Sequence, residues 1–137
     1  MKHLAKYKLL FLKGASSMEK KLLIVATHSF DAPERAGAAL AIANTAVANG
    51  MDVIIFTINE GVLLTKKGFP ETVKEQKAFP PIKDLVASLV ENEQKFYACT
   101  PCAQQFGVKP EEFIPNCELA GAATLLELAM GREVMTF

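Results

Sequence analysis

Apolar residues occur along the chain in short, nearly unbroken runs. The clearest are 21–27 and 52–58, and weaker segments follow at 95–98, 116–119 and 133–137. Short apolar runs without polar alternation are typical of strands that are buried on both faces, as in parallel sheets. The pattern therefore predicts five strands.

Segments with the apolar spacing of helices separate these strands. The segment 34–48 is rich in alanine, and 82–90 and 122–130 carry apolar residues at helical spacing. A short helical segment is expected at 103–106. Alternating strands and helices predict one α/β domain, in which a mostly parallel five-stranded sheet has helices on both faces.

Two loop regions have signals of their own. Asp31 is followed three residues later by Glu34, which is the spacing of a capping box, so Asp31 is the expected N-cap of the first helix. Residues 67–81 contain three prolines and several charges, and we expect an irregular excursion there. Loops of that length are often lids or interface segments.

Composition excludes several classes of protein. The 137 residues fit one domain, and half of them are hydrophobic, so the chain can fold around a core. The 15 basic and 15 acidic side chains cancel, which argues against nucleic-acid binding. No apolar run approaches a membrane span, and three cysteines do not suit a secreted disulfide scaffold. We therefore expect a cytoplasmic protein that does not bind membranes.

The first residues differ from the rest of the chain. Residues 1–17 contain four lysines and the apolar run 9–12, which is too short for the core of a signal peptide. A second methionine, Met18, precedes the first predicted strand. We interpret 1–17 as an N-terminal extension, disordered or a wrongly assigned start, ahead of a domain at 18–137. The alternative is a basic arm that docks on a neighbouring subunit.

Polar and reactive residues follow three of the predicted strands. His28 follows the first, Asn59 and Glu60 the second, and Cys99 the third. In open α/β sheets, ligands bind at the carboxyl ends of the strands. We therefore expect His28, Asn59 and Glu60 to bind substrate beside Cys99.

The sequence Cys99-Thr-Pro-Cys102 is the strongest candidate for chemistry. It joins a predicted strand to a predicted helix, and a cysteine at a helix N-terminus meets unpaired N–H groups and the positive end of the helix dipole. Both favour the thiolate, which is the nucleophile. We predict that Cys99 and Cys102 are catalytic, with the second sulfur able to resolve a disulfide or share a persulfide.

Other kinds of site have less support. Cys117 lies in an apolar region and is expected to be structural. A zinc site built from Cys99, Cys102, Cys117 and His28 lacks a second Cys-x-x-Cys or a His pair, so no metal is expected. The glycine-rich dinucleotide fingerprint and the phosphate-binding loop are both absent from the sequence, and no cofactor is predicted.

Four stretches, taken in order and spacing, resemble the DsrE/DsrF-like family, which includes sulfur-relay proteins of the TusD and YchN type. They are the first strand with its alanine-rich helix, the segment 53–64, the strand 96–99 that ends in cysteine, and the segment 118–127 that leads into 134–137. The resemblance covers about residues 20–137.

This resemblance implies a flavodoxin-like sheet and a homo-oligomer, often a trimer or hexamer. It also implies that Cys99, which matches the family cysteine at a strand end, carries sulfane sulfur as a persulfide between donor and acceptor proteins. Cys102 departs from members with a single cysteine here. Its expected role is to release sulfur from Cys99 or to protect it.

Two other functions stay open. A thioredoxin-like or peroxiredoxin-like dithiol enzyme would form a Cys99–Cys102 disulfide of defined potential. A non-catalytic oligomeric binding module would use the 67–81 excursion and the apolar surface for assembly.

Overall fold

The computed structural model describes residues 20–137, so the extension predicted for 1–17 lies outside the described residues. The strands are β1 (Lys21–Ala26), β2 (Asp52–Thr57), β3 (Lys95–Cys99), β4 (Cys117–Ala120) and β5 (Glu133–Thr136). The α-helices of this part are α1 (Pro33–Ala48), α2 (Ile82–Glu91), α3 (Thr100–Gln105) and α4 (Ala122–Ala129). The predicted α/β class and five-stranded sheet are confirmed. None of these helices has the length and apolar character needed to cross a bilayer.

The sheet is parallel throughout, in the order β4-β3-β2-β1-β5. The connections from β1 to β4 step in one direction across the sheet, and the last connection returns to the far side of β1. Crossovers between parallel strands are right-handed. This order therefore assigns α1, α2 and α3 to one face of the sheet and α4 to the other.

The contacts between helices and strands agree with that assignment, and the helices bury one face of the sheet more fully than the other. On one face, side chains of α1 and α2 pack on alternate residues of the strands, including Leu22, Ile24, Val53, Ile55 and Phe96. On the other face, α4 packs on Leu23, Val25, Ile54 and Phe56. The alternation confirms helices on both faces and explains why the strands read as continuous apolar runs.

The helix α4 gives only partial cover, because none of its residues is fully buried. Large apolar side chains in or directly after α4, and one on the same face of β5, are exposed, and we call them the α4–β5 surface: Leu126, Met130 and Val134. Met135 is also exposed but points to the opposite face of the sheet. Met130 is 78% exposed and Leu126 66%. An apolar surface of this kind is typical of an interaction site.

The connection from β2 to α2 is more regular than the sequence predicted. It begins with a 3-10 helix, Asn59–Thr65, in which Val62 and Leu64 are fully buried, and a second 3-10 helix spans Pro70–Thr72. The first 3-10 helix thus begins two residues after the end of β2.

Candidate functional site

The carboxyl ends of β1, β2 and β3 lie side by side, as the sequence predicted. The register pairs Ala26 of β1 with Thr57 of β2, and Thr57 with Ala98 of β3. His28, Asn59 and Cys99 follow these positions along one edge of the sheet, which we call the thiol edge.

The two cysteines are in contact at this edge. Cys99 is the last residue of β3 and the N-cap of α3, and Cys102 lies in the first turn of α3. Both cysteines pack against the apolar cluster around Val62 and Ala103, and the backbone N–H and thiol of Cys102 are close enough to influence the ionisation of Cys99. Both cysteines are half-buried and carry free thiols.

Protonation of Cys99 differs from the expectation for a helix N-terminus. Burial raises the pKa of Cys99 above its ordinary value, the Cys102 thiol adds to the rise, and the Cys102 backbone N–H opposes it without cancelling it. Removal from water disfavours the charged form of a thiol, and this short helix supplies one N–H group against that effect. The helix N–H thus acts in the predicted direction, but burial outweighs it and the net pKa of Cys99 is raised.

Asn59 contacts the second thiol. Its backbone has a φ of 54°, a left-handed conformation that asparagine tolerates better than most residues. Its Oδ1 lies 3.7 Å from Cys102 Sγ and accepts a hydrogen bond from that thiol. Of the three residues predicted to bind substrate, Asn59 is the one that hydrogen bonds to the cysteine pair within residues 20–137.

His28 pairs with an acidic residue of its own loop. Its Nδ1 lies 2.6 Å from Asp31 Oδ2, and the backbone N–H of Ser29 donates to Asp31 Oδ1 at 2.9 Å. The N-cap of α1 is Ala32, which makes no side-chain hydrogen bond. The predicted capping box of Asp31 and Glu34 is therefore wrong, because the carboxylate is already engaged by His28 and Ser29.

This pairing fixes the protonation of Asp31. Burial raises the pKa of Asp31, but the hydrogen bonds from Ser29 and His28 outweigh burial and hold the pKa below its usual value. A charged Asp31 orients the imidazole through Nδ1 and leaves Nε2 to exchange protons with other groups. Among the described residues, no hydrogen bond joins His28 to either thiol of the cysteine pair.

Two residues that sequence reasoning did not select hold the ends of β1 and β2 together. Ser29 is fully buried, and its hydroxyl donates to the Glu60 carbonyl oxygen at 2.7 Å. A Cβ added to Gly61 would lie 2.1 Å from the Ala26 carbonyl oxygen, so the close approach requires glycine at this position. The contact of Glu60 in this arrangement is thus through its backbone. The glycine four residues after the end of β2 was a usable signal in the sequence, whereas Ser29 had none.

The third cysteine belongs to the core. Burial raises the pKa of Cys117 to about 12, although a hydrogen bond to Thr65 lowers it. Cys117 packs against the core beneath α2 and α3, which agrees with the predicted structural role. Within residues 20–137, His, Cys, Asp and Glu form no group of three suited to a metal ion.

A groove of about 430 Å³ lies away from the cysteine pair, between α2 and the loop segments 67–71 and 114–115. Its lining includes Lys67, Lys83, Val86 and Pro115. The predicted site residues do not line it, so the groove is separate from the thiol edge.

Sequence comparisons relate the chain to known proteins. The profile of the DsrE/DsrF-like family matches residues 20–137. The uncharacterized protein MK0008 of Methanopyrus kandleri is 38% identical over 87 residues, which are 64% of this chain and 68% of that protein. The uncharacterized protein MJ0760 of Methanocaldococcus jannaschii is 31% identical over 127 residues, which are 88% of this chain and 46% of that protein. This chain thus spans less than half of MJ0760.

Solved structures with the same architecture include the ychN protein from E. coli. The aligned region covers 86% of this chain and 99% of the ychN chain, with a TM-score of 0.72 and 18% identity. MTH1491 from Methanobacterium thermoautotrophicum, a protein of unknown function, has a TM-score of 0.61 and 10% identity and covers 87% of this chain and 100% of its own. At these identities the similarity shows the fold alone.

Proposed function

The chain belongs to the DsrE/DsrF-like family, and from that premise we propose that it is a sulfur-relay protein that carries sulfane sulfur as a persulfide on Cys99. The position of Cys99 carries the proposal. Its thiol is half-buried at the carboxyl end of β3, where ligands bind in open α/β sheets, and it contacts a second thiol.

The loading step balances without an oxidant or a reductant. The Cys99 thiol loses its proton and attacks the sulfane sulfur of a donor persulfide. A new S–S bond forms on Cys99, the S–S bond of the donor breaks, and the donor leaves as a thiolate that takes up a proton. Transfer to an acceptor thiol repeats the step in the opposite direction.

His28 has a separate role in this proposal. Neighbouring strands lie about 4.8 Å apart, so the β1 and β3 ends are about 10 Å apart, with β2 between them. Among the described residues, the imidazole makes no hydrogen bond to the Cys99 thiol, so we do not assign it to take the Cys99 proton. We assign it to contact with the incoming donor or acceptor, whose thiol it can deprotonate through Nε2 while Asp31 holds Nδ1.

Mass spectrometry of the intact protein tests persulfide carriage. After incubation with polysulfide, the protein should gain the mass of one sulfur atom, which maps to Cys99 and is removed by a reductant. Cys117→Ser is the matched control and should gain the same mass, because Cys117 is partly buried and packs against the core. A Cys99→Ser protein that takes up sulfur to the same extent would contradict the proposal.

Homo-oligomers of this chain, trimers or hexamers, form part of the same proposal. The α4–β5 surface supports it, because Leu126, Met130 and Val134 are exposed apolar side chains on one side of the sheet. Donor and acceptor proteins are the other partners that we propose. We place this activity in the cytoplasm, where free thiols persist.

Dithiol redox chemistry is the second candidate, and one observation favours it. The Cys102 thiol already contacts the Cys99 sulfur, so a disulfide between them needs little movement. A redox enzyme loses turnover equally when either cysteine is replaced, whereas a sulfur carrier keeps its loading step in Cys102→Ser. The same mass measurement on Cys102→Ser separates the two functions, because no Cys99–Cys102 disulfide can form there and a sulfur carrier still gains one sulfur atom on Cys99.

A further inference from the structure

Cys102 has two neighbouring groups that could accept its one S–H proton. Its thiol contacts the Cys99 sulfur, and its Sγ also lies 3.7 Å from Asn59 Oδ1. A thiol has a single S–H group, and an amide oxygen is a better acceptor than a thiol sulfur. The S–H of Cys102 therefore points to Asn59, a contact that only the protonated thiol can make.

We propose that Asn59 is a positioning residue that holds the Cys102 thiol back from Cys99 and so slows the discharge of sulfur carried there. This inference rests on the proposed function, because the sulfur that it protects is the Cys99 persulfide. It extends that function by stating when the second cysteine acts: Cys102 attacks after its contact with Asn59 is broken.

The reaction that Asn59 restrains can be written in full. The Cys102 thiol loses its proton and its sulfur attacks Cys99 Sγ. A Cys99–Cys102 disulfide forms, the S–S bond of the persulfide breaks, and the outer sulfur leaves as hydrosulfide, which takes up a proton. The Cys102 sulfur is oxidised, the outer sulfur is reduced and the oxidation level of Cys99 Sγ does not change, so no outside oxidant is needed. A reducing thiol must then restore the pair.

Asn59 is firmly held for this purpose. It opens the 3-10 helix Asn59–Thr65 at the end of β2. The next two residues are fixed against β1, since Ser29 donates to the Glu60 carbonyl and Gly61 approaches the Ala26 carbonyl too closely for any side chain. The amide oxygen is thus presented to Cys102 from a rigid part of the sheet edge.

The left-handed backbone conformation of Asn59 allows variants that change the side chain without straining the backbone. Glycine adopts a φ of 54° without strain and lacks the amide, so Asn59→Gly removes the hydrogen bond and keeps the backbone. Aspartate also tolerates this conformation and keeps an acceptor oxygen in the same place, so Asn59→Asp is the conservative variant.

The first arm of the experiment needs no sulfur donor. Reduced wild-type protein and the two variants are mixed with oxidised glutathione, and the Cys99–Cys102 disulfide is followed by mass spectrometry after thiols are blocked. We expect the disulfide to form about fivefold faster in Asn59→Gly, the factor that corresponds to one hydrogen bond of ordinary net strength. Asn59→Asp should be no faster than wild type. Equal rates in wild type and Asn59→Gly, or equally raised rates in both variants, would overturn the role of Asn59.

The second arm repeats the comparison on protein loaded with polysulfide. Hydrogen sulfide released per loaded Cys99 should rise in Asn59→Gly by a similar factor and stay at the wild-type level in Asn59→Asp. Urea unfolding of all three proteins serves as the control for a general loss of structure. Such a loss would lower the free energy of unfolding, but it would not raise sulfide release in Asn59→Gly alone. If wild-type protein takes up no sulfur, the proposed function fails, while the first arm still decides whether Asn59 restrains Cys102.

Discussion

The sulfur of Cys99 lies in surroundings that disfavour its charged form. Burial is the main cause, and the neighbouring Cys102 thiol adds to it, so the pKa of Cys99 is above its ordinary value. Below its pKa, a thiol forms tenfold more thiolate with each unit of pH. The reactivity of Cys99 should therefore depend on pH over a higher range than that of an exposed cysteine.

Iodoacetamide alkylation at a series of pH values checks this expectation. In a Cys117→Ala background, the rate at Cys99 should still be rising at pH values where an exposed cysteine, with a pKa of about 8.5, has levelled off. Cys102→Ala should move the profile to lower pH, since it removes the thiol that raises the pKa of Cys99 and keeps the backbone N–H that lowers it. A profile that levels off at or below the ordinary range would contradict the effect of burial.

The residues of the site differ in how well sequence reasoning could find them. Cys99 and Cys102 could be predicted because three residues of separation place both in one turn at a strand end. Asn59, the partner of Cys102, lies 43 residues away in sequence, and only the parallel register brings it close. Asp31 was assigned to a helix cap on local spacing, whereas the imidazole and N–H groups of its own loop compete for the carboxylate.

Pro33 also weakens the need for that cap. It is the first residue of α1 and has no N–H, so one of the unpaired donors at the helix start is already missing. A capping box therefore stabilises this helix start less than it would an ordinary one. The spacing of a capping box is present in the sequence, but the helix forms without the side-chain hydrogen bonds of the box.

At the level of elements, the junction between β1 and the 3-10 helix Asn59–Thr65 shows the tightest packing. Gly61 lies against the Ala26 carbonyl oxygen, where an added Cβ would be 2.1 Å away. Backbone at the end of a central strand cannot move aside as a flexible side chain would. The orientation of Asn59 toward Cys102 depends on this junction, because Asn59 and Gly61 belong to the same 3-10 helix.

Gly61→Ala should therefore lower the free energy of unfolding by about 3 kcal/mol, the upper part of the range for overpacking. Gly121→Ala is the matched control, because it has open space around its Cβ position and a negative φ, and it should stay within about 0.5 kcal/mol of wild type. Urea unfolding measures both variants. A Gly61→Ala protein as stable as the control would show that the two elements are not packed as closely as described.

Strand positions could be predicted to within one residue at either end, since apolar runs bounded by turn signals are a strong local pattern. The full 3-10 helix after β2 could not, because such helices are too short to establish a period in the sequence. The 67–81 excursion was expected to be irregular, and its one regular piece, Pro70–Thr72, is another short 3-10 helix.

For the molecule as a whole, strand order decides which surface is left apolar. Alternation of strands and helices predicted the layers, but the sequence has no signal for the return of the last strand to the far side of β1. That return is what leaves α4 to cover one face of the sheet. The exposure of the α4–β5 surface is thus a consequence of topology.

Charge introduced on the α4–β5 surface tests the proposed assembly at this scale. Met130 is 78% exposed, so Met130→Glu removes little packing within one chain and should leave the free energy of unfolding of the monomer within about 0.5 kcal/mol of wild type. In an oligomer built on this surface, the buried carboxylate would lack a partner, and dissociation should increase at least tenfold. Sedimentation velocity over a concentration series measures this dissociation.

Phe30→Glu is the matched control, because Phe30 is also apolar and 55% exposed but lies in the loop after β1. A wild-type protein that sediments as a monomer would contradict the proposed oligomer, and an assembly unaffected by Met130→Glu but broken by Phe30→Glu would move the interface to the thiol edge.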